Sequence, residues 1–247
     1  MMIYQNFAFI YDQFMENVQY QDWADFVEEV LNSNEIKGDK ILELACGTGN
    51  VTGLLRKKGY DMTGIDISED MLTIAQEKSY ENNLKIKYLK QDMRTLNLNK
   101  SKYDAVVSFC DGINYIIEEE DLGAVFENVY KHLNDEGIFI FDISTEYKLK
   151  NILGQNTFAE TSEDSAYIWE NYYDERTRIL EFDLNIFIEE DEMYTRHFES
   201  HRQKAHRSDE LCSKIEEIGF KNIKVYGSID FSPEKEDSER IYICVQK

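Results

Sequence analysis

Little in this sequence serves to stiffen or cross-link it. Proline occurs once, at Pro233, and the four cysteines (Cys46, Cys110, Cys212, Cys244) stand far apart with no C-x-x-C pair. That spacing argues against a disulfide framework and against a cysteine-based zinc site, and thiols in or beside apolar segments suit a reducing compartment. Long hydrophobic runs are lacking, and none approaches the roughly 20 residues that a bilayer span needs. The opening residues, MMIYQNFAFIYDQFM, hold no basic leader and no small-residue cleavage site, and they place Asp12 and Glu16 where a signal peptide is cationic or apolar. A cytoplasmic protein is expected. Positive charge is scarce as well: 27 lysines and arginines face 49 aspartates and glutamates, a net charge of −22. Such a balance works against nucleic-acid binding, which draws on counterion release by basic residues, and against anionic membrane surfaces. The one basic run, His201 to Arg207, reads as a solvated strand end approaching a helix. His197, His201 and His206 show no metal-ligand spacing, and nothing like H-E-x-x-H occurs, so no metal is expected. Small molecules and proteins remain as partners, and the oligomeric state is open.

What is present is a globular chain of 247 residues, 42% of them hydrophobic, enough to bury a core. Trp23, Phe26, Val27, Val30 and Leu31 recur at helical spacing, with Asp22 placed to cap the start. The pattern then alternates. Strand 40–46 is followed by a helix stopped at Gly59; strand 60–67 leads to Ser68 as the cap of the next helix. Strands 86–92 and 103–109, a helix carrying Leu122, Phe126, Val129 and Leu133, and strand 138–143 complete it. Strand alternating with helix through five strands predicts a mostly parallel sheet with helices on both faces. Near residue 155 the period changes: Leu180, Phe182, Leu184, Ile186 and Ile188 alternate with polar residues, the mark of a half-buried antiparallel sheet. Helical spacing returns at 208, and two strands close the chain. The expected organisation is a single domain over 1–247: N-terminal lid helices (1–35), a ligand-binding core (36–150), an antiparallel β insertion (155–207), and a return to the core (208–247).

The densest chemical signal is Glu43-Leu44-Ala45-Cys46-Gly47-Thr48-Gly49-Asn50, between a strand and a helix. Glycines there let a ligand approach the backbone, and the helix start offers free N–H groups. A dinucleotide fingerprint would need a third glycine where Thr52 stands, and Gly53 comes one place late. Glu43 would repel a pyrophosphate and attract an ammonium, so its sign favours a zwitterionic ligand.

The stretch ELACGTGN resembles motif I of the class I S-adenosylmethionine-dependent methyltransferases, with Ala45 at the first glycine of the usual E/D-x-G-x-G-x-G. The resemblance implies a Rossmann-like fold and S-adenosylmethionine as cofactor, its amino-acid end held by Glu43, Ala45, Gly47 and Gly49. Further positions match in order. Asp66 resembles the acidic residue that binds both ribose hydroxyls, as one carboxylate can accept two hydrogen bonds from a vicinal diol; Ile67 follows it. Met71 resembles an apolar residue packing on the adenine. Asp92, followed by Met93, resembles the carboxylate that takes the adenine amino group, and the segment at Cys110 resembles the one that passes the methyl donor. Each has a plainer reading: Asp66 and Asp92 as helix caps, Met71 as core, Cys46 and Cys110 as small buried hydrophobes.

The run Phe7-x-x-x-Tyr11-Asp12-x-Phe14 resembles the Y-D motif of small-molecule methyltransferases, whose tyrosine closes over the cofactor. The insertion resembles that of glycine and amino-sugar N-methyltransferases, where it roofs the acceptor pocket. Here the roof would draw on Tyr167, Trp169, Tyr172, Tyr173, Phe187, Tyr194 and Phe198, part of which must pack as core. Asp111, His201, His206 and Tyr172 are candidate bases, Asp111 with turn-capping as its alternative. The expected activity is methyl transfer to N or O of a small-molecule acceptor. Rival readings are a protein methyltransferase, another group transfer from the same cofactor, and a non-catalytic cofactor-binding module. A nucleic-acid methyltransferase is disfavoured by charge and by the lack of an N/D-P-P-Y-type motif after the fourth strand.

Overall fold

The computed structural model describes residues 11–190 and 193–247. Phe7 and the first part of the expected lid lie outside these residues. Residues 11–14 are helical, and helix α1 follows at Tyr20–Ser33, burying Trp23, Phe26, Val27, Val30 and Leu31. It starts ahead of Asp22, which therefore sits in the first turn, where the helix dipole favours a carboxylate, and not at the cap.

The alternating part then forms β1 (Lys40–Leu44), α2 (Asn50–Lys57), β2 (Asp61–Asp66), α3 (Glu69–Glu81), β3 (Lys87–Lys90), β4 (Tyr103–Ser108), α4 (Glu119–His132) and β5 (Leu133–Ser144). Ser68 caps α3, its hydroxyl accepting the Met71 N–H at 3.2 Å. β5 begins earlier than its apolar run, because α4 runs straight into it and the chain turns at Glu136 (φ 62°). After the insertion come α5 (Ser208–Ile218), β10 (Lys221–Tyr226) and β11 (Arg240–Gln246). The central sheet has seven strands in the order β10-β11-β5-β4-β1-β2-β3. Strands β1 to β5 are parallel, and β11 slots in antiparallel between β5 and β10.

Alternation within the buried strands sends successive side chains into two apolar layers. Leu42, Val106, Phe139 and Phe141 pack against α4 and α5 through Phe126, Val129 and Ile215. Ile41, Ala105, Val107 and Ile140 pack against α1 and α2 through Phe26, Val30 and Leu55. The chain moves outward from β1 to β2 and β3, then returns to β4, so the crevice between the carboxyl ends of β1 and β4 is the switch point where such sheets take ligands. No helix among the described residues is long and apolar enough to cross a membrane.

The insertion is a second, four-stranded antiparallel sheet: β6 (Thr157–Thr161), β7 (Ser165–Asp174), β8 (Ile179–Glu190) and β9 (Met193–Lys204), paired in chain order. Its base is anchored to the turn after β4. Asn114 Nδ2 donates to the Lys204 and Ser144 carbonyls, both at 2.9 Å, and His206 Nε2 donates to the Ile116 carbonyl at 3.0 Å. Leu149, Leu153, Tyr173, Leu180 and Ala205 close a small core beneath. Register then decides the faces. Cross-strand rows Tyr173–Leu180–Gln203, Asn171–Phe182–His201, Trp169–Leu184–Glu199 and Tyr167–Ile186–His197 share one face. That face holds buried Asn171, Tyr173, Leu180, Ile186, Glu199 and Gln203. The expected roof is therefore corrected: Tyr167, Trp169 and Tyr173 lie on it, whereas Tyr172, Phe187, Tyr194 and Phe198 occupy the outer face, Tyr172 being 57% exposed.

Candidate functional site

The strand ends along one edge of the central sheet build the site. After β1 the backbone passes through left-handed conformations at Ala45 (φ 51°), Gly47 (φ 52°) and Gly49 (φ 75°). Gly49 could not carry a side chain even without that constraint, because a Cβ there would come within 2.5 Å of the Tyr88 hydroxyl. A Cβ at Gly47 would meet no described atom within 4 Å. The loop thus packs tightly on its protein side and is bare on the other, a cradle for a ligand close to backbone. Ala45 does by strain what a glycine at this position would do freely.

Asp66, at the end of β2, faces this loop. Its carboxylate accepts the Gly47 N–H at 2.9 Å and the Ser68 N–H at 2.8 Å. Burial raises its pKa, partly offset by these N–H groups. Glu43 is 3% exposed beneath the loop and accepts a short hydrogen bond from the Thr52 hydroxyl. Thr52, the residue that breaks a dinucleotide fingerprint, thus has its own task here. Burial, with the Asp66 charge adding to it, lifts the Glu43 carboxyl to about 8.

The N-terminal segment closes the loop from outside. Asp12 accepts from Thr48 Oγ1 at 2.7 Å and Asn50 Nδ2 at 2.8 Å, and pairs with Lys78 Nζ at 2.6 Å. Although burial acts to raise it, these bonds hold Asp12 below the ordinary carboxylate range. Tyr11 reaches across to the turn after β4, its hydroxyl 3.6 Å from Cys110 Sγ. Phe14 stacks edge-on against Tyr167 of the insertion at 4.7 Å, and Gln13 bonds Ser162 at 3.2 Å. Tyr20 packs edge-on against Trp23 at 5.7 Å, and burial raises its hydroxyl well above the usual range.

Beyond Asp66, Ile67 is 63% exposed, an apolar side chain beside a carboxylate with little over it. Met71 is half-buried at the start of α3, and Met93 packs on the core. Asp92 caps the turn Met93–Thr95 through the Arg94 N–H at 2.9 Å and pairs with the Arg94 guanidinium at 2.6 Å, which lowers its pKa. Both its oxygens accept from Arg94.

The turn after β4 is also left-handed, at Cys110 (φ 63°) and Asp111 (φ 66°). Asp142 of β5, fully buried, accepts both backbone N–H groups, Cys110 at 3.3 Å and Asp111 at 3.2 Å. Arg240 of β11 bonds Asp142 and reaches Asp111 Oδ1 at 2.6 Å, while its guanidinium lies over the Trp23 ring at 5.4 Å. Ser144 Oγ donates to Asp111 at 2.8 Å. Burial would raise Asp111, but the charges of Arg240 and Lys148 and the hydrogen bonds from Ser144 and Arg240 together outweigh it and hold this carboxyl below its usual value. A carboxylate so paired is a weak base, and its place is in shaping the turn. Burial pushes the Cys110 thiol up to about 12, so it stays a thiol.

Opposite this turn, on the insertion's buried face, His201 meets Tyr115 edge-on at 5.9 Å, stacks on Phe182 at 4.8 Å, and donates from Nε2 to Glu199 Oε2 at 2.9 Å. His201 is thus brought to the site. Tyr172 is not: it points to solvent from the other face. His206 is a core residue locked to a carbonyl, lowered to about 4 by burial and hence neutral. Sequence reasoning missed Asp12's partners Asn50 and Lys78, and also Tyr20, Tyr115, Asp142, Glu199 and Arg240. Only a polar residue inside an apolar strand, as at Asp142, could have flagged any of them.

The methyltransferase domain family matches residues 41–137. The chain is 35% identical over 246 residues to the putative methyltransferase YqeM of Bacillus subtilis (strain 168), covering 100% of this chain and 98% of that protein. Among solved structures, an S-adenosylmethionine-dependent methyltransferase from Clostridium acetobutylicum ATCC 824 superposes with a TM-score of 0.89 at 33% identity, covering 98% of both chains. The N,N-dimethyltransferase of Streptomyces venezuelae named for dTDP-3-amino-3,4,6-trideoxy-alpha-D-glucopyranose is 30% identical over 137 residues, 55% of this chain and 56% of that protein.

Proposed function

This chain belongs to the class I S-adenosylmethionine-dependent methyltransferases, and from that premise we propose that it methylates N or O of a small molecule held between the insertion sheet and the turn after β4. The observation that carries this reading is the bracket around that space. Tyr11 touches Cys110, Phe14 touches Tyr167, and His201 meets Tyr115, so the N-terminal segment, the core and the insertion are drawn together beside the turn after β4. The amino-sugar N-methyltransferase among the relatives supports a small acceptor.

The residues present fit the cofactor: the bare cradle at Gly47, Asp66 at the end of β2 and exposed apolar Ile67. When bound, S-adenosylmethionine supplies an electrophilic methyl carbon on a sulfonium. The protein's task is then alignment in a dry pocket, which can contribute roughly 7–11 kcal/mol, against about 3–5.5 kcal/mol for a general base. Tyr11, Tyr115 and the insertion exclude water. His201, with Nε2 held by Glu199 and its ring against Tyr115, is the base candidate that this face offers to the reacting group.

The direct test is release of S-adenosylhomocysteine with pooled amines, amino acids, phenols and nucleotide sugars. No release with any pool, from protein that binds the cofactor, would count against a small-molecule acceptor. Once an acceptor is found, Tyr172→Ala with Tyr194→Ala should leave turnover within about 2-fold, since both rings face solvent. A large loss would place the acceptor on the outer face.

Glu43 gives a signature in proton release. Its carboxyl, raised to about 8 from 4.5 when folded, contributes stability fully below pH 4.5 and loses it as pH rises through 8. At pH 7 the ligand-free protein therefore holds Glu43 protonated, and an incoming ammonium favours the carboxylate. Calorimetry in two buffers of different ionisation enthalpy should show about one proton released per cofactor bound at pH 7, and none in Glu43→Gln. Binding heats that do not change with buffer would remove Glu43 from the ammonium site.

A further inference from the structure

Buried side-chain polar atoms with no hydrogen-bond partner among the described residues include Ser108 Oγ, Trp169 Nε1, Asn171 Oδ1 and Glu199 Oε1. Buried polar groups are normally paired, because leaving one unmade carries its full desolvation cost. The exceptions here are not scattered. Ser108 belongs to the cofactor side, and the other three lie on two adjacent rows of the insertion's buried face, Trp169–Leu184–Glu199 and Asn171–Phe182–His201. Those rows sit between the two points where the insertion is tied down, Phe14 against Tyr167 on one side and Lys204 against Asn114 on the other.

Glu199 is the sharpest of the three. Its residue is 5% exposed, Oε2 is held by His201, and Oε1 is left over. A charge-bearing group in such a place favours a ligand that brings an N–H of its own. Asn171 Oδ1 is a second acceptor and Trp169 Nε1–H a donor, so the face asks for hydrogen-bond donors together with one oxygen. Neighbouring Phe158 and Phe182 flank Trp169 at 5.3 and 5.7 Å, giving an apolar bed.

We propose that Glu199, with Trp169 and Asn171, forms the acceptor-recognition site, and that the acceptor is a small amine carrying a nearby oxygen, such as an amino acid, amino alcohol or amino sugar. This rests on the small-molecule reading above and narrows it. Glu199 Oε1 accepts from the amine, Trp169 donates to the oxygen, and Glu199 keeps His201 oriented towards Tyr115.

The test uses the full-length protein and two matched panels, amines bearing a neighbouring oxygen and alcohols or phenols of similar size, read by release of S-adenosylhomocysteine. Turnover is expected with members of the amine panel. Glu199→Gln keeps an acceptor for His201 but loses the charge, so KM for the amine should rise about 10- to 100-fold with cofactor affinity unchanged. Because the wild-type oxygen is unpartnered, the melting temperature of Glu199→Gln should be equal or higher. Amine turnover unchanged in this variant overturns the assignment, and so does a lower melting temperature with KM intact, which would make Glu199 a structural residue. Turnover confined to alcohols or phenols overturns the amine proposal and leaves the small-molecule reading standing. No turnover in either panel, with cofactor bound, overturns both.

Discussion

Asp66→Ala is expected to weaken S-adenosylmethionine binding at least 100-fold, read by calorimetry, while the variant stays folded by circular dichroism. On the proposed ribose role of Asp66, two charge-assisted hydrogen bonds of about 1.5–3 kcal/mol each would be lost together, and 2.7 kcal/mol is already about a factor of 100. The structure adds a second reason. Asp66 also accepts the Gly47 and Ser68 N–H groups, so its removal frees the loop that cradles the ligand. Asp66→Asn, which keeps one acceptor oxygen, should fall between wild type and Asp66→Ala. NAD should not compete in any of them, since Thr52 occupies the third-glycine position of a dinucleotide fingerprint. Unchanged affinity in folded Asp66→Ala would falsify the ribose assignment.

Arg240→Met should show the largest loss of stability. The guanidinium is the only cation bonded to Asp142 and Asp111 among the described contacts, and Asp142 is fully buried. Removing one partner of a buried ion pair leaves uncompensated charge and costs about 3–5 kcal/mol. For a chain of this size that is a drop in melting temperature of roughly 6–20 °C. Adding Asp142→Asn should recover part of it, because the stranded charge goes while an acceptor for the Cys110 and Asp111 N–H groups remains. Cofactor affinity should fall in parallel in Arg240→Met, since those groups hold the left-handed turn at the end of β4. A melting temperature within about 2 °C of wild type would show that the turn holds its shape without the ion pair.

Much of the cofactor half was legible in the sequence. Its signals are local: apolar runs of strand length, a helix stop at Gly59, the Ser68 cap, glycines at a strand–helix turn and a carboxylate at a strand end. Each depends on residues a few positions apart, so composition and spacing were enough to locate β1, β2, α3 and the loop between Ala45 and Asn50. The antiparallel insertion was legible for the same reason, through the alternation of Leu180 to Ile188.

The faces of the insertion and the pairing of the turn after β4 depended on tertiary structure. Alternation says that Tyr172 and Tyr173 face opposite ways, but not which of them faces in. That follows from register, Tyr173 opposite buried Leu180 and Tyr172 opposite exposed Glu181, and a slip of one residue would exchange them. Asp111 read as a candidate base because its partner lay far along the chain. Sheet order alone brings Arg240 of β11 beside Asp142 of β5, and only then does Asp111 become a paired carboxylate. The same holds for Asp12 on Lys78 and for Glu199 with its unmatched oxygen. Local pattern determined which elements form and where the cofactor loop lies, because backbone conformation answers to near neighbours. Which polar side chains are paired, and which are not, was decided by packing, because charge and burial answer to whatever the fold brings within a few ångströms.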